Sequence, residues 1–514
     1  MTTDLSPRTR QGILATMCLA LVAVVASVAG LNVALNTLAV ELEASSTQLL
    51  WIVNAYTLTM AALLLPIGEW GDRFGRRRML LIGLTVFGIA NLASTLVDTP
   101  GQLIALRSLG GLGAAMVMPA TLSTLTSVYP EDERGQAVGI WAGFAGAGGI
   151  LGPFASALLI DHASWQWLFV LPAGIAVAAI VATVAIVPET RHESTHRFDY
   201  VGAALAVAAV GGVILGVEEG PHLGWTDPIT LAGLIGGAAA MIGFVLWELR
   251  QEHPLLDVRI FGNARLASGS FSLVMLFALM FGSFLVVIQL LQAALGFSAV
   301  TAAAGLLPMA VAMMALSPVA PRLGERFGLV NVLSGAAVLL AIGFGWLAVA
   351  DASYLGVLPG LMIVGVAMGL GMSPATTAIT EALPAEQQSL ASALNDTVRE
   401  AGSALGIALI GSVLTSGYAD SIRSTSEQLP DELAHPVSEG IGQALAVAAQ
   451  LGQDGAPIAE AATNAFLDGW TSAMLVAAGA ALIAAVATRA LARGGDAGLV
   501  DDGSVETDDP VLVA

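Results

Sequence analysis

The 514-residue chain is 56% hydrophobic and only 11% charged, which excludes an ordinary soluble domain, because such a domain is about a quarter charged. Its formal net charge is −20, but residues 418–468 and 494–514 supply −7 and −6 of it, and we interpret them as a solvated loop and a flexible tail. The chain has no lysine, which excludes a P-loop and a lysine Schiff base. Its single cysteine, Cys18, excludes an intrachain disulfide.

The residue types that enzymes and metal sites need are missing or scattered. All six histidines fall in predicted loops, and no pair has zinc-ligand spacing on a helix. Neither a G-x-S-x-G elbow nor a kinase motif set occurs. We therefore predict a protein that is not an enzyme, with no metal, no cofactor and no nucleic-acid partner.

Apolar runs of roughly twenty residues recur along the whole chain and predict an all-α polytopic membrane protein. Fourteen membrane spans are predicted, at residues 12–35, 49–70, 79–97, 102–127, 135–158, 166–187, 199–217, 228–248, 266–291, 299–320, 330–350, 354–379, 389–417 and 469–489. With the N-terminus inside, 16 of the 19 basic residues fall in inner loops. Twelve or thirteen spans would scatter them across both faces, so the positive-inside rule favours fourteen spans with both termini cytoplasmic.

A polar stretch at residues 68–78 separates the second and third spans. Its four arginines mark the cytoplasmic side, and Gly71 and Gly75 allow a tight turn between antiparallel helices. Residues 324–328 repeat residues 71–75 at an offset of 324 − 71 = 253 residues. A repeat of this size predicts two related halves.

The repeat, eight spans apart, fits two six-helix bundles separated by two inserted helices. The predicted divisions are a cytoplasmic N-terminus at 1–11, an N-terminal bundle at 12–187, a linker with two extra spans at 188–265, a C-terminal bundle at 266–489 that includes an extracellular loop at 418–468, and an acidic cytoplasmic tail at 490–514.

Several motifs together identify a family. They are Gly68-x3-Asp72-Arg73-x-Gly75-Arg76-Arg77, Trp51 with Tyr56, Gly148-x3-Gly152-Pro153, Trp165-Gln166-Trp167, the stretch 254–261, and Asn395-Asp396-x2-Arg399-Glu400. In this combination the chain resembles the major facilitator superfamily, in its fourteen-helix drug:proton antiporter branch, which includes multidrug and quaternary-ammonium exporters. The resemblance runs from about Asn32 to Tyr418. It implies alternating access by a rocker-switch motion around a central cavity between two bundles.

Asp396 and Glu400 lie four residues apart in the thirteenth span and so share a helix face. An ionised carboxylate is costly at membrane depth, so such residues mark proton relays. We predict that at least one of them binds the coupled proton. The structural alternative is a static Asp396–Arg399 pair that only orients the helix.

Arg107 lies in an otherwise apolar span and resembles the arginine of the family's fourth-helix motif, which implies a role in tuning the proton site. The alternative is an arginine that snorkels to the outer face.

The small residues of the fifth span, among them Gly148, Gly152 and Pro153, resemble the family's antiporter motif. Small residues allow two helices to approach closely, which would seal one end of the cavity against proton leak. Ser156-Ala157 stands where the family usually continues Gly-Gly.

The motif of residues Gly68, Asp72, Arg73, Gly75, Arg76 and Arg77 is predicted to form a gate on the inner face. Asp72 can pair with an arginine or a helix N-terminus in one conformation and lose that partner in the other. The alternative is that these residues only set topology.

Many relatives carry an acid in the first span, where this chain has Ser27, and some carry one where it has Asn54. Coupling would then rest on the thirteenth span, and a strong preference for multivalent cations is not expected. Further methionines and aromatic residues could line an adaptable apolar pocket or pack as core. The substrate-cavity candidates are Ser27, Asn32, Asn54, Tyr56, Met116, Gln289 and Met313.

The sequence thus predicts a monomeric, multi-pass protein of the bacterial inner membrane that exports amphipathic small molecules in exchange for protons, driven by the proton gradient. A dedicated exporter of one metabolite or antibiotic is the alternative within that class. A membrane sensor or scaffold is the alternative of another class, and it predicts no solute flux.

Overall fold

A computed structural model describes residues 5–190 and 198–496. Within these ranges every regular element is a helix, and fourteen helical segments are long and apolar enough to cross a membrane. The predicted all-α polytopic fold with fourteen spans is confirmed. Residues 1–4, 191–197 and 497–514, which include Arg191, Arg197 and most of the acidic tail, lie outside the described residues.

The first half of the chain and the linker form nine α-helices. They are α1 Pro7–Ala29, α2 Leu35–Glu41, α3 Ser46–Phe74, α4 Arg76–Ser94, α5 Pro100–Val128, α6 Glu131–His162, α7 Trp167–Ile186, α8 Tyr200–Leu223 and α9 Pro228–Glu248, with 3₁₀ turns at Gly30–Ala34 and Val258–Gly262.

Ten further α-helices follow the linker. They are α10 Ala264–Gln289, α11 Ala299–Gly305, α12 Leu307–Leu316, α13 Ala320–Phe327, α14 Leu329–Val349, α15 Tyr354–Thr380, α16 Gln388–Ser426, α17 Asp431–Glu439, α18 Ile441–Leu451 and α19 Ala456–Asp496, with a π-helical turn at Leu290–Ala294 and 3₁₀ turns at Ala385–Gln387 and Gly452–Gly455.

The two repeated turns have the same backbone geometry. Gly75 has a φ of 103° between α3 and α4, and Gly328 has a φ of 87° between α13 and α14. A positive φ at each position needs glycine, because a Cβ would collide with the backbone. Gly71, predicted to share the turn, instead lies inside α3, so one glycine makes each turn.

Helix ends differ from the predicted spans where tertiary contacts extend a helix past its apolar core. Helix α8 continues to Leu223, beyond the predicted end at residue 217. Helix α19 begins at Ala456, well before residue 469. The predicted loop 418–468 is therefore largely helical, and Tyr418 anchors it by donating its hydroxyl to the Val437 carbonyl at 2.8 Å.

Helices α1–α7 pack on one another, as do α10–α16 and α19, and we refer to these two groups as the first and second halves. The halves meet where α3 and α5 pack on α16, and where α6 packs on α12 and α15. Helices α8 and α9 pack on each other, and α8 also contacts α3 and α16. The linker pair thus touches both halves through one helix.

An even number of spans returns the chain to the face on which it started, so both described termini lie on one face. That face also carries the Gly75 and Gly328 turns, and we call it the basic end.

Candidate functional site

The polar motif at the end of α3 reaches across to the other half. Both oxygens of Asp72 accept the backbone N–H of Ser389 at 3.0 Å, and Oδ2 also accepts that of Leu390 at 3.1 Å. These donors belong to the first turn of α16, where backbone N–H groups lack helical partners and the helix dipole favours an anion. A carboxylate of one half therefore caps a helix of the other.

Arg76 strengthens this contact. Its Nη2 lies 3.0 Å from Asp72 Oδ1 and 3.2 Å from the Ala385 carbonyl, and its Nε donates to Ser389 Oγ at 3.3 Å. Both Asp72 and Arg76 are buried. A charge-assisted pair shielded from water is stronger than an exposed one, so these two residues tie the halves together at the basic end.

Two other arginines of the motif contact residues of the first half and of the linker. Arg73 pairs with Glu69 one turn earlier and lies over the Phe198 ring, 5.6 Å from its centre. Arg77 donates to the Val184 carbonyl at 2.8 Å. Asp72 and Arg76 are thus the predicted gate residues whose described hydrogen bonds cross the interface.

A glycine allows the gate helices to touch. A Cβ on Gly68 would lie 2.9 Å from the Ser389 carbonyl oxygen and 3.2 Å from Leu390 Cα. Any larger residue would push α3 away from α16, so Gly68 is required by backbone contact.

A second set of contacts closes the basic end on the other side of the interface. Ser317 Oγ donates to the Gly139 carbonyl at 2.7 Å, and Arg322 reaches Gln136 at 3.4 Å. Glu381 lies in the field of Arg134 from the other half, and burial raises its pKa while Arg265 and Arg134 oppose the rise. The two halves are therefore in contact at the basic end on both sides of their interface.

Arg107 is buried between helices of the first half. Its Nε donates to the Ile52 carbonyl at 3.1 Å, its Nη1 donates to Ser27 Oγ at 3.3 Å, and its guanidinium lies 4.3 Å from the centre of the Tyr56 ring. Only 3% of the residue is exposed, so the alternative of snorkelling to the outer face is wrong. Its Nη2 has no hydrogen-bond partner among the described residues.

Ser27, at the position where the family resemblance implies an acid in many relatives, lies against Arg107. Besides accepting from Arg107, Ser27 Oγ lies 3.5 Å from Asn91 Oδ1. The Ser27 hydroxyl is a neutral dipole, whereas a carboxylate there would carry a full negative charge. The positive charge of the Arg107 guanidinium is therefore less neutralised than it would be beside an acid.

The acids of the thirteenth span occupy two different environments. Asp396 is fully buried; its Oδ1 accepts from Arg399 at 3.0 Å and from Asn395 at 3.3 Å, while Oδ2 has no partner within the described ranges. Glu400 is partly exposed and forms neither a hydrogen bond nor an ion pair with any described residue. Glu400 is therefore the less enclosed of the two acids.

Arg399 connects the acid pair to both halves. Its guanidinium lies 4.6 Å from the centre of the Phe277 ring on α10 and 5.4 Å from that of Trp141 on α6. The Asp396–Arg399 ion pair named above as the structural alternative is present, and it is stacked between the halves rather than confined to one helix.

The small residues of α6 make the close contacts expected of the antiporter motif. A Cβ on Gly148 would lie 3.0 Å from Val25 Cγ1, and one on Gly152 would lie 2.9 Å from Ala26 Cα. Helix α6 continues through Pro153 to His162. The motif therefore joins α6 to α1 inside the first half.

The remaining cavity candidates differ in their burial. Tyr56 is fully buried and donates to the Val24 carbonyl at 3.3 Å. Met313 is fully buried, whereas Asn54, Met116 and Gln289 are partly exposed. The side chain of Asn32 lies outside the described part of the structure.

A small apolar cavity lies within the second half, lined by residues of α10, α12, α14 and α15. Two methionines and two aromatic residues, the kinds expected to line an adaptable pocket, belong to its wall: Met280, Met309, Phe284 and Phe344. Its lining is almost entirely hydrocarbon and thioether.

Sequence reasoning missed two acids inside the membrane. Glu218 and Glu219 lie in α8, beyond the predicted end of that span, and Glu219 is 5% exposed. Their signal in the sequence is an acidic pair between Gly216 and Gly220 in an otherwise apolar run.

Comparisons with known proteins agree with this architecture. The family profile of the Major Facilitator Superfamily matches residues 17–407. The human organic anion transporter MFSD10 (TETRAN) superposes with a TM-score of 0.60 at 13% identity, covering 94% of this chain and 100% of that one. At this identity the likeness shows the fold.

Two curated bacterial relatives match most of the sequence. The methyl viologen resistance protein SmvA of Salmonella typhimurium is 32% identical over 461 residues, which are 88% of this chain and 92% of SmvA. The multidrug resistance protein Stp of Mycobacterium tuberculosis is 31% identical over 410 residues, which are 79% of this chain and 76% of Stp.

Proposed function

Because the chain belongs to the major facilitator superfamily, we propose that it exports amphipathic small molecules from a bacterial cell in exchange for protons, by alternating access. The chain is a multi-pass protein of the bacterial plasma membrane, and relatives covering most of it are named for resistance to methyl viologen and to multiple drugs. The observation that carries the proton exchange is the pair of acids on α16, one sealed with an arginine and one half-buried without a hydrogen-bond partner among the described residues.

The exchange begins at Glu400. A carboxylate inside a membrane protein attracts either a proton or a cationic group, and binding one displaces the other. An amphipathic cation at Glu400 would therefore release a proton, and a returning proton would release the cation. No cofactor is needed, because the proton gradient supplies the driving force.

Asp396 links this exchange to the position of the halves. When Asp396 is ionised it holds Arg399, whose guanidinium stacks on Trp141 of the other half. Protonation of Asp396 would end the ion pair and free Arg399 to move. The contact of Arg399 with Trp141 would then weaken, which favours separation of the halves.

The gate at the basic end completes the cycle. We assign the basic end to the cytoplasm, because inner loops are rich in arginine. Asp72 caps α16 in the closed state, and opening exposes its charge and the N–H groups of Ser389 and Leu390 to water. The Asp72 carboxylate and these N–H groups then form hydrogen bonds with water in place of those they lose. The closed and open states of the gate therefore remain close in free energy.

The test is proton release from proteoliposomes on addition of ethidium, a fluorescent amphipathic cation. Wild-type protein should release protons in step with ethidium movement, whereas Glu400→Gln and Asp396→Asn should uncouple the two. Glu427→Gln is the matched control, because it makes the same substitution at the exposed end of the same helix. Normal coupling in both single variants and in the double variant would remove α16 from the mechanism.

A dedicated exporter of one metabolite or antibiotic remains the second candidate. The fully buried Met313 and the narrow apolar cavity beside Met309 favour a restricted site. Drug-susceptibility tests in an exporter-deficient host decide between the two, since a dedicated exporter would protect against one compound of a diverse panel. Absence of any flux would instead indicate a sensor or scaffold.

A further inference from the structure

Helix α8 of the linker lies in the groove between α3 and α16, where the two halves meet. A buried cluster joins the three helices. Its members are Ala61 from α3, Val210, Ile214 and Val217 from α8, and Ala404 and Ala408 from α16. The linker is therefore packed against the moving interface and is not a free insert.

Glu218 follows the last α8 residue of that cluster. Its Oε2 is inaccessible to solvent and has no hydrogen-bond partner in the described structure. An unpartnered carboxyl oxygen in such a place is unusual, because buried polar groups normally form hydrogen bonds. A bound proton would remove the cost of an ionised group there.

The groups that face Glu218 come from each helix packed around it. Helix α16 contributes the carboxyl of Glu400, helix α3 contributes the hydroxyl of Thr57, and helix α8 itself contributes Glu219. Helix α9 meets this part of α8 with Thr230 and Leu234, which carry no charge. No cation is among these neighbours, so the negative charge of Glu218 is opposed only by protons or by a ligand.

Helix geometry places Glu218 toward the end opposite the basic end. It lies five residues before the end of α8 at Leu223, which corresponds to about 7.5 Å at a rise of ~1.5 Å per residue. Glu400 lies eleven residues into the span from Ser389 at the basic end, about 16 Å along α16. Glu218 is thus nearer to the opposite face than a group at the middle of the membrane.

We propose that Glu218 is a second proton-binding carboxyl of the transport site, coupled electrostatically to Glu400 across the contact between α8 and α16. Two carboxylates that repel each other in a poorly solvated interface bind a proton more readily than either alone. A proton that enters near the end of α8 binds Glu218, and it passes through water to the carboxylate of Glu400, leaving Glu218 ionised. The linker helix then takes part in ion coupling, a role that rests on the proposed proton exchange.

The first test measures protonation without transport. Dicyclohexylcarbodiimide adds to protonated carboxyls in apolar surroundings, and mass spectrometry of peptides locates the label. Labelling of Glu218 in the purified full-length protein should fall as pH rises. In Glu400→Gln the midpoint should move to lower pH by about 0.5 unit or more, because a neighbouring negative charge is removed. Glu427→Gln should leave the midpoint unchanged.

The second test uses ethidium exchange in proteoliposomes. Glu218→Gln should move the pH dependence of transport in the same direction, to lower pH, whereas Glu219→Gln should move it less, because residue 219 points about 100° further around the helix. If Glu218→Gln does not fold, Glu218→Asp keeps the charge on a shorter side chain and should retain a pH dependence displaced from that of the wild type.

The outcomes separate the two proposals. The coupled pair is overturned if Glu218 is not labelled at any pH between about 5 and 9. It is also overturned if Glu218 is labelled identically in the wild type and in Glu400→Gln. A wild-type pH profile in Glu218→Gln overturns it as well, even if export is established. Coupled labelling in a protein that moves no ethidium would instead sustain the pair and contradict the export function.

Discussion

Asp72 accepts the backbone N–H of Ser389 through both of its carboxylate oxygens, at 3.0 Å each, although 317 residues separate the two in sequence. The acid lies at the end of a helix in one half, and the N–H group opens a helix in the other. One side chain therefore replaces a local helix cap and joins the halves at the basic end.

Asp72→Asn should open the basic end. An amide offers one oxygen in place of two and carries no charge, so the contact with Ser389 and Leu390 loses about 1.5–3 kcal/mol. We expect ethidium transport to fall about tenfold, and cysteines placed on the facing surfaces of α3 and α16 to react faster with a water-soluble maleimide.

The control for this change is Glu325→Gln. Glu325 is the residue that corresponds to Asp72 in the repeat, at 72 + 253, and it is exposed. It should tolerate the loss of charge with little change in transport. Equal defects in the two variants would mean that the motif acts through general charge at the basic end and not through the cap on α16.

The number of membrane spans and the membrane class of the protein could be predicted from sequence, because each span carries its own apolar run. The partner of Asp72 could not, since nothing near Asp72 in the sequence specifies which helix N-terminus it will cap. The sequence predicts that both Gly71 and Gly75 belong to the turn, and it fails at Gly71 for the same reason. In the structure Gly71 continues α3, because that helix packs on α16, and of the two glycines Gly75 alone has a positive φ.

Arg107→Lys should impair the first half although it preserves the charge. A lysine has one point charge and cannot donate to Ile52 and Ser27 while lying flat over the Tyr56 ring, as the guanidinium does. The loss of one buried hydrogen bond and the stacked contact should cost about 1–3 kcal/mol, seen as a lower thermal unfolding midpoint in detergent and reduced transport.

Arg423→Lys provides the comparison for Arg107→Lys, because Arg423 is exposed and, in the described part of the chain, its ion-pair partner is exposed Asp420. It should unfold at the wild-type temperature. An Arg107→Lys protein as stable and active as that control would show that the position requires only a positive charge.

Glu218 shows where sequence reasoning fails at the candidate site. The sequence predicts that its span ends at residue 217, just before two consecutive acids. In the structure α8 continues through both acids to Leu223, since its apolar face is buried against α3 and α16. Tertiary packing thus kept a charged segment helical. By contrast, Asp396 and Glu400 could be found, because they interrupt a span that is apolar on both sides.

Gly75→Ala and Gly328→Ala should both destabilise the protein through the backbone. Each glycine has a φ that L-residues adopt at a cost of about 1–2 kcal/mol. Gly328 has no close neighbour in the space a Cβ would fill, its nearest being Asn331 at 3.8 Å, so its variant isolates the backbone term.

Gly335→Ala, in a helix with open space around it, should be neutral or stabilising in the same thermal unfolding assay. Unchanged midpoints in the two turn variants would contradict the positive φ at the repeated turns.

Gly152→Ala tests whether the small residues of α6 are needed for contact with α1. The new Cβ would lie 2.9 Å from Ala26 Cα, which belongs to the backbone of α1 and cannot rotate away. Separating the helices should cost about 1–3 kcal/mol and loosen the first half, with a lower unfolding midpoint and a faster passive proton leak through proteoliposomes. Gly174→Ala places the same methyl group on α7 where nothing lies within 4 Å, so it should leave both measurements at the wild-type level. If Gly152→Ala lowers stability without raising the leak, the motif packs the half but does not seal it, and the sealing function assigned to the antiporter motif is wrong.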